Sequence, residues 1–163
     1  MSAPAGQPAG RDSVIDAPPA TAVWEDRSTV SEPSQPTTPP TVLVVEDEAS
    51  VRSMLALAIR AAGFTVHLAV DGQDACDQLN AGLSVDVLLM DIRMPRMGGI
   101  ELLRFLRSDP RFADLPVIAM SAYSDELQEQ EVRAAGAAAF LPKPFTIADL
   151  RAVLDVISGP SAR

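Results

Sequence analysis

Several short apolar runs in this chain lead into residues able to do chemistry. Glu46 and Asp47 follow TVLVV (41–45), with Glu48 behind them, and Asp91 follows VDVLLM (85–90). Ser121 closes PVIAMS (116–121), and Lys143 comes just after AAAFL (137–141). Brought to one place, the carboxylates of Glu46, Asp47 and Asp91 would carry about −3 charge and would raise one another's pKa. A divalent cation together with the Lys143 ammonium would cancel that charge. Mg²⁺ suits such a set, because it takes oxygen ligands, keeps several waters and uses only one or two carboxylates directly. Neither His nor Cys belongs to the group, which argues against zinc or copper. Taken singly, the acidic residues and Ser121 have a plainer reading as helix N-caps, and Lys143 one as chance in an Arg-rich composition. Their chemistry depends on the fold bringing them together.

The elements that could do so are legible in the pattern. TVLVV, TVHLA (65–69), VDVLLM, PVIAMS and AAAFL read as strands. Between them lie helical stripes. Ala49 to Ala62 carries Val51, Met54, Leu55, Ala58, Ile59 and Ala62, and Gly63 supplies a C′ stop. Residues 71–81 turn Ala75, Cys76 and Leu79 inward. Gly98 or Gly99 to Ser108 forms the third helix, with Pro110 beyond it. Asp125 to Ala135 forms the fourth, a polar stretch with a poor stripe of Leu127, Val132 and Ala134 or Ala135. Thr146 caps the last helix, whose stripe is Ile147, Leu150, Val153, Leu154 and Ile157, before Gly159-Pro160.

Nearly continuous apolar strands alternating with helices predict a parallel sheet covered on both faces. The expected fold is a doubly wound α/β domain over residues 41–158. Ligands of such sheets sit beyond the carboxyl ends of the strands, where strand order reverses. Glu46, Asp47, Asp91, Ser121 and Lys143 all fall on that edge.

Composition bounds the rest. The chain has 163 residues, is 47% hydrophobic and carries a net charge of −9, which argues against direct nucleic-acid binding. Its single cysteine, Cys76, excludes an intramolecular disulfide. No signal peptide or membrane span is evident, so a cytoplasmic protein without membrane contact is expected. Residues 1–40 are rich in Pro and acidic residues and read as a disordered tail, with residues 159–163 as a short tail at the other end. The AVWED stretch around Trp24 is a candidate docking motif.

VLVVEDE, LLMDIRMPRMGG, VIAMSAY and FLPKPF, in that order, resemble the receiver domain of two-component response regulators, the CheY-like family. The resemblance implies a flavodoxin-like (βα)5 fold with strand order 2-1-3-4-5, and it implies that Asp91 accepts a phosphoryl group from a phosphohistidine. It implies an Mg²⁺ site of Glu46, Asp47, Asp91 and the Arg93 backbone carbonyl. Lys143 would meet a phosphoryl oxygen as a compact charge, which a planar guanidinium does not replace. A cis Lys143–Pro144 peptide is expected. Ser121 and Phe140 take the positions of the switch pair, and helix four, strand five and helix five that of the output surface. Arg93 and Tyr123 could shield the acyl phosphate from water. His67 should lie on the surface, and Met90, Met94 and Met97 should pack.

The implied partners are a sensor histidine kinase or a histidine phosphotransfer protein, and a downstream protein target that the sequence does not identify. A monomer or a weak phosphorylation-dependent dimer is expected. The leading reading is a single-domain regulator rather than an enzyme. The alternative is a phosphorelay intermediate. An aspartyl-phosphate phosphohydrolase is disfavoured, because Arg93 stands where such enzymes place a second Asp. An unphosphorylated scaffold is disfavoured by the complete acidic set.

Overall fold

The computed structural model describes residues 38–122 and 126–159. Five strands alternate with five helices: β1 (Thr41–Val45), α1 (Ala49–Ala61), β2 (Thr65–Ala69), α2 (Gly72–Asn80), β3 (Val87–Asp91), α3 (Gly99–Ser108), β4 (Val117–Ser121), α4 (Glu126–Ala134), β5 (Ala139–Pro142) and α5 (Ile147–Ile157). The strands form one parallel sheet in the order β2-β1-β3-β4-β5, as expected. The expected disordered tail falls almost wholly outside the described residues, as do Trp24 and Tyr123.

The central strands β1, β3 and β4 are buried on both faces, and successive side chains feed two separate cores. Val42 and Val44 pack with Leu55, Ala56 and Ile59 of α1 and Leu150 and Leu154 of α5. Leu43 and Val45 pack with residues from α2, α3 and α4, among them Cys76, Leu102, Leu106 and Val132. Burial on both sides explains why these strands read as runs rather than alternations.

Boundaries moved by a few residues. β3 starts at Val87 and takes in Asp91, which pairs in register with Met120. Asp86 stays outside the strand, because its carboxylate accepts the Thr41 N–H at 2.7 Å. The buried helical stripes are narrower than the apolar spacing predicts. Met54 is 57% exposed, Ile147 64% and Leu127 76%. On α1 the buried arc centres on Leu55 and Ile59 and takes in Ala56, which leaves Met54 at its far edge. In α4 only Val132 is fully buried. His67 is exposed and Met90 is fully buried, while Met94 and Met97 are half-buried against the second core, as expected.

Chain order reverses at β1: the chain passes to β2 on one side and then returns to β3 on the other. The crevice beyond the ends of β1 and β3 is where this architecture holds ligands.

Candidate functional site

Backbone pairing carries the chemistry to that crevice. Glu46 lies one residue past β1, and its N–H still donates to Ala69 O at 3.1 Å, so sheet pairing extends onto it. Its side chain is turned inward, and the residue is only 2% exposed. One carboxylate oxygen accepts the Glu48 N–H at 3.2 Å and the other accepts Lys143 Nζ at 3.2 Å. Arg52, in the first turns of α1, donates to the Glu46 carbonyl at 2.7 Å and to that of Asp47 at 3.3 Å. That guanidinium fixes the turn presenting both acids.

Asp91 is half-buried at the end of β3, and its Oδ1 accepts Lys143 Nζ at 3.3 Å. Lys143 is placed by the same device as Glu46: its N–H donates to Ser121 O at 2.7 Å, continuing the β4–β5 pairing. The Lys143–Pro144 peptide is cis, as expected. Asp47 is exposed, yet one oxygen each from Glu46, Asp47 and Asp91 falls within a 4.8 Å cluster. The structure therefore assembles the acids and the lysine the sequence proposed.

Burial is the largest single influence on the electrostatics of this cluster. Burial pushes the Asp91 carboxyl up, against the pull of Lys143. Burial likewise pushes Glu46 up, against its hydrogen bond from Glu48 and the charge of Lys143. Burial also draws the Lys143 ammonium down, but Asp91 and Glu46 outweigh it and hold it above the usual lysine range. One ammonium thus pairs with two of three clustered carboxylates. An all-oxygen donor set with surplus negative charge fits a hard divalent cation such as Mg²⁺.

The β3–α3 loop, which carries Arg93, is shaped by glycines and by one ion pair. A Cβ on Gly99 would lie 2.6 Å from Asp91 O and 2.9 Å from Ile92 Cα, so only glycine lets α3 begin against the Asp91 backbone. Arg96 adopts φ +62°, a left-handed conformation uncommon for a side chain of its size. Its guanidinium grips Asp71 at 2.5 Å, and Gly72 N–H donates to Met97 O at 3.1 Å. Asp71 is 3% exposed and also caps α2 by accepting the Asp74 N–H. The loop is therefore fastened to the start of α2.

Ser121 is buried at the end of β4, and its Oγ donates to Gln128 Oε1 of α4 at 2.6 Å. Phe140 is half-buried on β5, opposite Ala119, while Ser121 pairs with Pro142. Sequence reasoning passed over Arg52, Gln128 and the Asp71–Arg96 pair. The Asp71-Gly72 step, with Asp74 three residues on, carried a helix-capping signal that could have revealed Asp71. Nothing local marked Gln128 or Arg52, whose partners lie on other elements.

The model of the response regulator receiver domain matches residues 42–155. The chain belongs to this family. AtoC of Escherichia coli K12, a regulatory protein, is 40% identical over 113 residues, which is 69% of this chain and 24% of AtoC. The chain thus matches about a quarter of that relative's length. Among solved structures, the chemotaxis protein CheY4 of Vibrio cholerae aligns with a TM-score of 0.70 and 29% identity, over 74% of this chain and 99% of that one. The receiver domain of sensor histidine kinase PA1611 from Pseudomonas aeruginosa PAO1 aligns with a TM-score of 0.69 and 28% identity, over 75% of this chain and 99% of that one. That structure has a magnesium ion coordinated in its active-site cleft. Residues 42–155 of this chain therefore form a response regulator receiver domain.

Proposed function

We propose that Asp91 is the phosphoacceptor of this receiver and that Lys143 neutralises the incoming group. The observation that carries this reading is the placement of Lys143 Nζ, 3.3 Å from Asp91 and 3.2 Å from Glu46, beside the acidic cluster. The donor is a phosphohistidine on a sensor histidine kinase or a histidine phosphotransfer protein. An Asp91 carboxylate oxygen forms the new P–O bond as the P–N bond breaks, and the imidazole leaves with the electron pair. Lys143 turns from Asp91 Oδ1 to a phosphoryl oxygen and offsets its charge. Glu46 and Asp47, with Asp91 and the Arg93 carbonyl, would hold Mg²⁺, which supplies further charge neutralisation when bound. Ser121 then turns toward the phosphoryl group, Phe140 follows, and the surface of α4, β5 and α5 changes. Arg93 is exposed beside the site and shields the acyl phosphate.

Incubation of the full chain with acetyl phosphate and Mg²⁺, followed by intact mass, tests the core of this. One phosphoryl group should be gained, lost on chelation and absent in Asp91→Asn. No gain with acetyl phosphate or any phosphohistidine donor sinks the proposal. Onward transfer to a second histidine protein would mark a relay intermediate. Binding of the phosphorylated form to a target other than a kinase would mark an effector. We place the protein in the cytoplasm, as a monomer or a weak phosphorylation-dependent dimer. Among the described residues no helix is long and apolar enough to cross a membrane.

A further inference from the structure

α4 is held very differently at its two ends. At the C-terminal end Val132 is fully buried in the core. Just beyond it, Arg107 of α3 donates to Gly136 O from Nη2 at 2.8 Å and from Nε at 3.1 Å. The same guanidinium binds Phe112 O at 3.2 Å and Leu115 O at 2.9 Å, tying this end to the α3–β4 connection. At the N-terminal end Glu126 and Leu127 face solvent. Among the described residues of that half, Gln128 is half-buried and accepts the Ser121 hydroxyl at 2.6 Å.

A serine hydroxyl has a single proton to donate. While Ser121 gives it to Gln128 Oε1, it cannot give it to an oxygen of a group on Asp91. The two bonds exclude one another. Hydrogen bonds to an ionised acceptor are roughly twice as strong as those between neutral partners, so an anionic phosphoryl oxygen outcompetes a carboxamide.

We propose that Gln128 is a positioning residue that couples Ser121 to α4. Its bond to Ser121 holds the first half of the helix, and loss of that bond frees this half to pivot about the Arg107-anchored end. The coupling rests on the phosphoacceptor reading of Asp91, but its ground-state half can be measured without any phosphoryl group.

The experiment is residue-resolved amide hydrogen exchange on the full chain. It compares wild type with Gln128→Ala, Gln128→Glu, Ser121→Ala and the Gln128→Ala/Ser121→Ala double variant. The reporting amides are Gln130 and Glu131, whose helical acceptors lie in the first turn. Ala135 and Ala137, which donate to Glu131 O and Val132 O, report on the fixed end. Gln128→Ala should speed exchange at Gln130 and Glu131 about fivefold, the equivalent of one net neutral hydrogen bond, and leave Ala135 and Ala137 unchanged. Ser121→Ala should do the same, and the double variant should go no further than either single one. Gln128→Glu keeps an acceptor oxygen at the same reach and should restore protection, which a merely structural role for the amide would not require.

Beryllium fluoride with Mg²⁺, a mimic of the phosphoryl group, should then bring wild type to the Gln128→Ala level. Unchanged or additive exchange in the variants overturns the coupling. So does a wild type that binds the mimic at Asp91 without loosening Gln130 and Glu131. If the ground-state pattern holds but Asp91 takes no mimic, the phosphoacceptor reading fails, and the switching half of the proposal falls with it.

Discussion

Replacing Lys143 with Met keeps most of the apolar stem, one atom shorter, and removes the ammonium with its charge and its hydrogen bonds to Glu46 and Asp91. Lys143 Nζ lies 3.2 Å from Glu46 and 3.3 Å from Asp91. At an effective dielectric of about 20, a unit pair at that spacing attracts by roughly 5 kcal/mol before desolvation is set against it. Breaking such a buried pair costs about 3–5 kcal/mol, because the remaining charge is stranded. Glu46 is the group most exposed to this effect, since its side chain has almost no access to water. Its carboxyl is already pushed up by burial, so it can shed its charge by taking a proton, which limits the loss. The expected cost is therefore about 3 kcal/mol at neutral pH in the presence of a chelator. Saturating Mg²⁺ should recover part of it, by about 1–2 kcal/mol more than in wild type, because the cation meets the same carboxylates without competition from the ammonium. Urea unfolding of both proteins, with chelator and with Mg²⁺, measures all four stabilities. A loss below about 1 kcal/mol, or equal Mg²⁺ increments in the two proteins, would refute the reasoning that surplus carboxylate charge governs this site.

Other expectations can be checked by urea unfolding, acetyl-phosphate labelling and amide exchange. Asp71 is held below the usual carboxylate range: burial acts to raise it, but the Asp74 N–H and Arg96 outweigh that. Its contribution should be complete above the unfolded pKa of about 4 and vanish as pH falls through the folded value. Asp71→Asn keeps the cap but loses the ion pair, so it should cost about 1 kcal/mol at neutral pH, with the gap to wild type closing in acid. A gap that widens in acid would contradict the assignment. Gly99→Ala forces a methyl group against the Asp91 carbonyl, and should cost about 1–3 kcal/mol and slow labelling by acetyl phosphate. Arg107→Ala removes a donor shared by the carbonyls of Phe112, Leu115 and Gly136, and should cost about 1–2 kcal/mol, because Phe112 O keeps the Leu115 N–H and Gly136 is exposed. In that variant amide exchange should rise at Ala135 and Ala137, and an unchanged pattern would show that the guanidinium does not anchor α4.

The fold class and the main site were legible in the sequence because both follow from local rules. A strand covered on both faces must be apolar throughout, so TVLVV and VIAMS announce a parallel sheet. Once that sheet is accepted, residues just past the strand ends must share one edge, and Glu46, Asp47, Asp91, Ser121 and Lys143 come together without further information. The same rules limited what could be read. Apolar spacing overcounted the buried arc of α1 and α5, because a methionine or isoleucine at the edge of a stripe looks the same whether or not a neighbour covers it.

The tertiary structure alone decided how the assembled groups are coupled. Arg52 reaches back over the turn that carries Glu46 and Asp47, and Arg96 takes a left-handed conformation to meet Asp71 on the other side of the crevice. Gln128, one polar residue in a polar helix, receives the hydroxyl of Ser121 from the neighbouring strand. These bonds join residues that neither periodicity nor strand position relates. A hydrogen bond needs its atoms placed to within a few tenths of an ångström, and only the packing of helices on the sheet sets positions that finely. The sequence determined which groups meet at the edge of the sheet; the packed structure decided which of them share a proton or a charge.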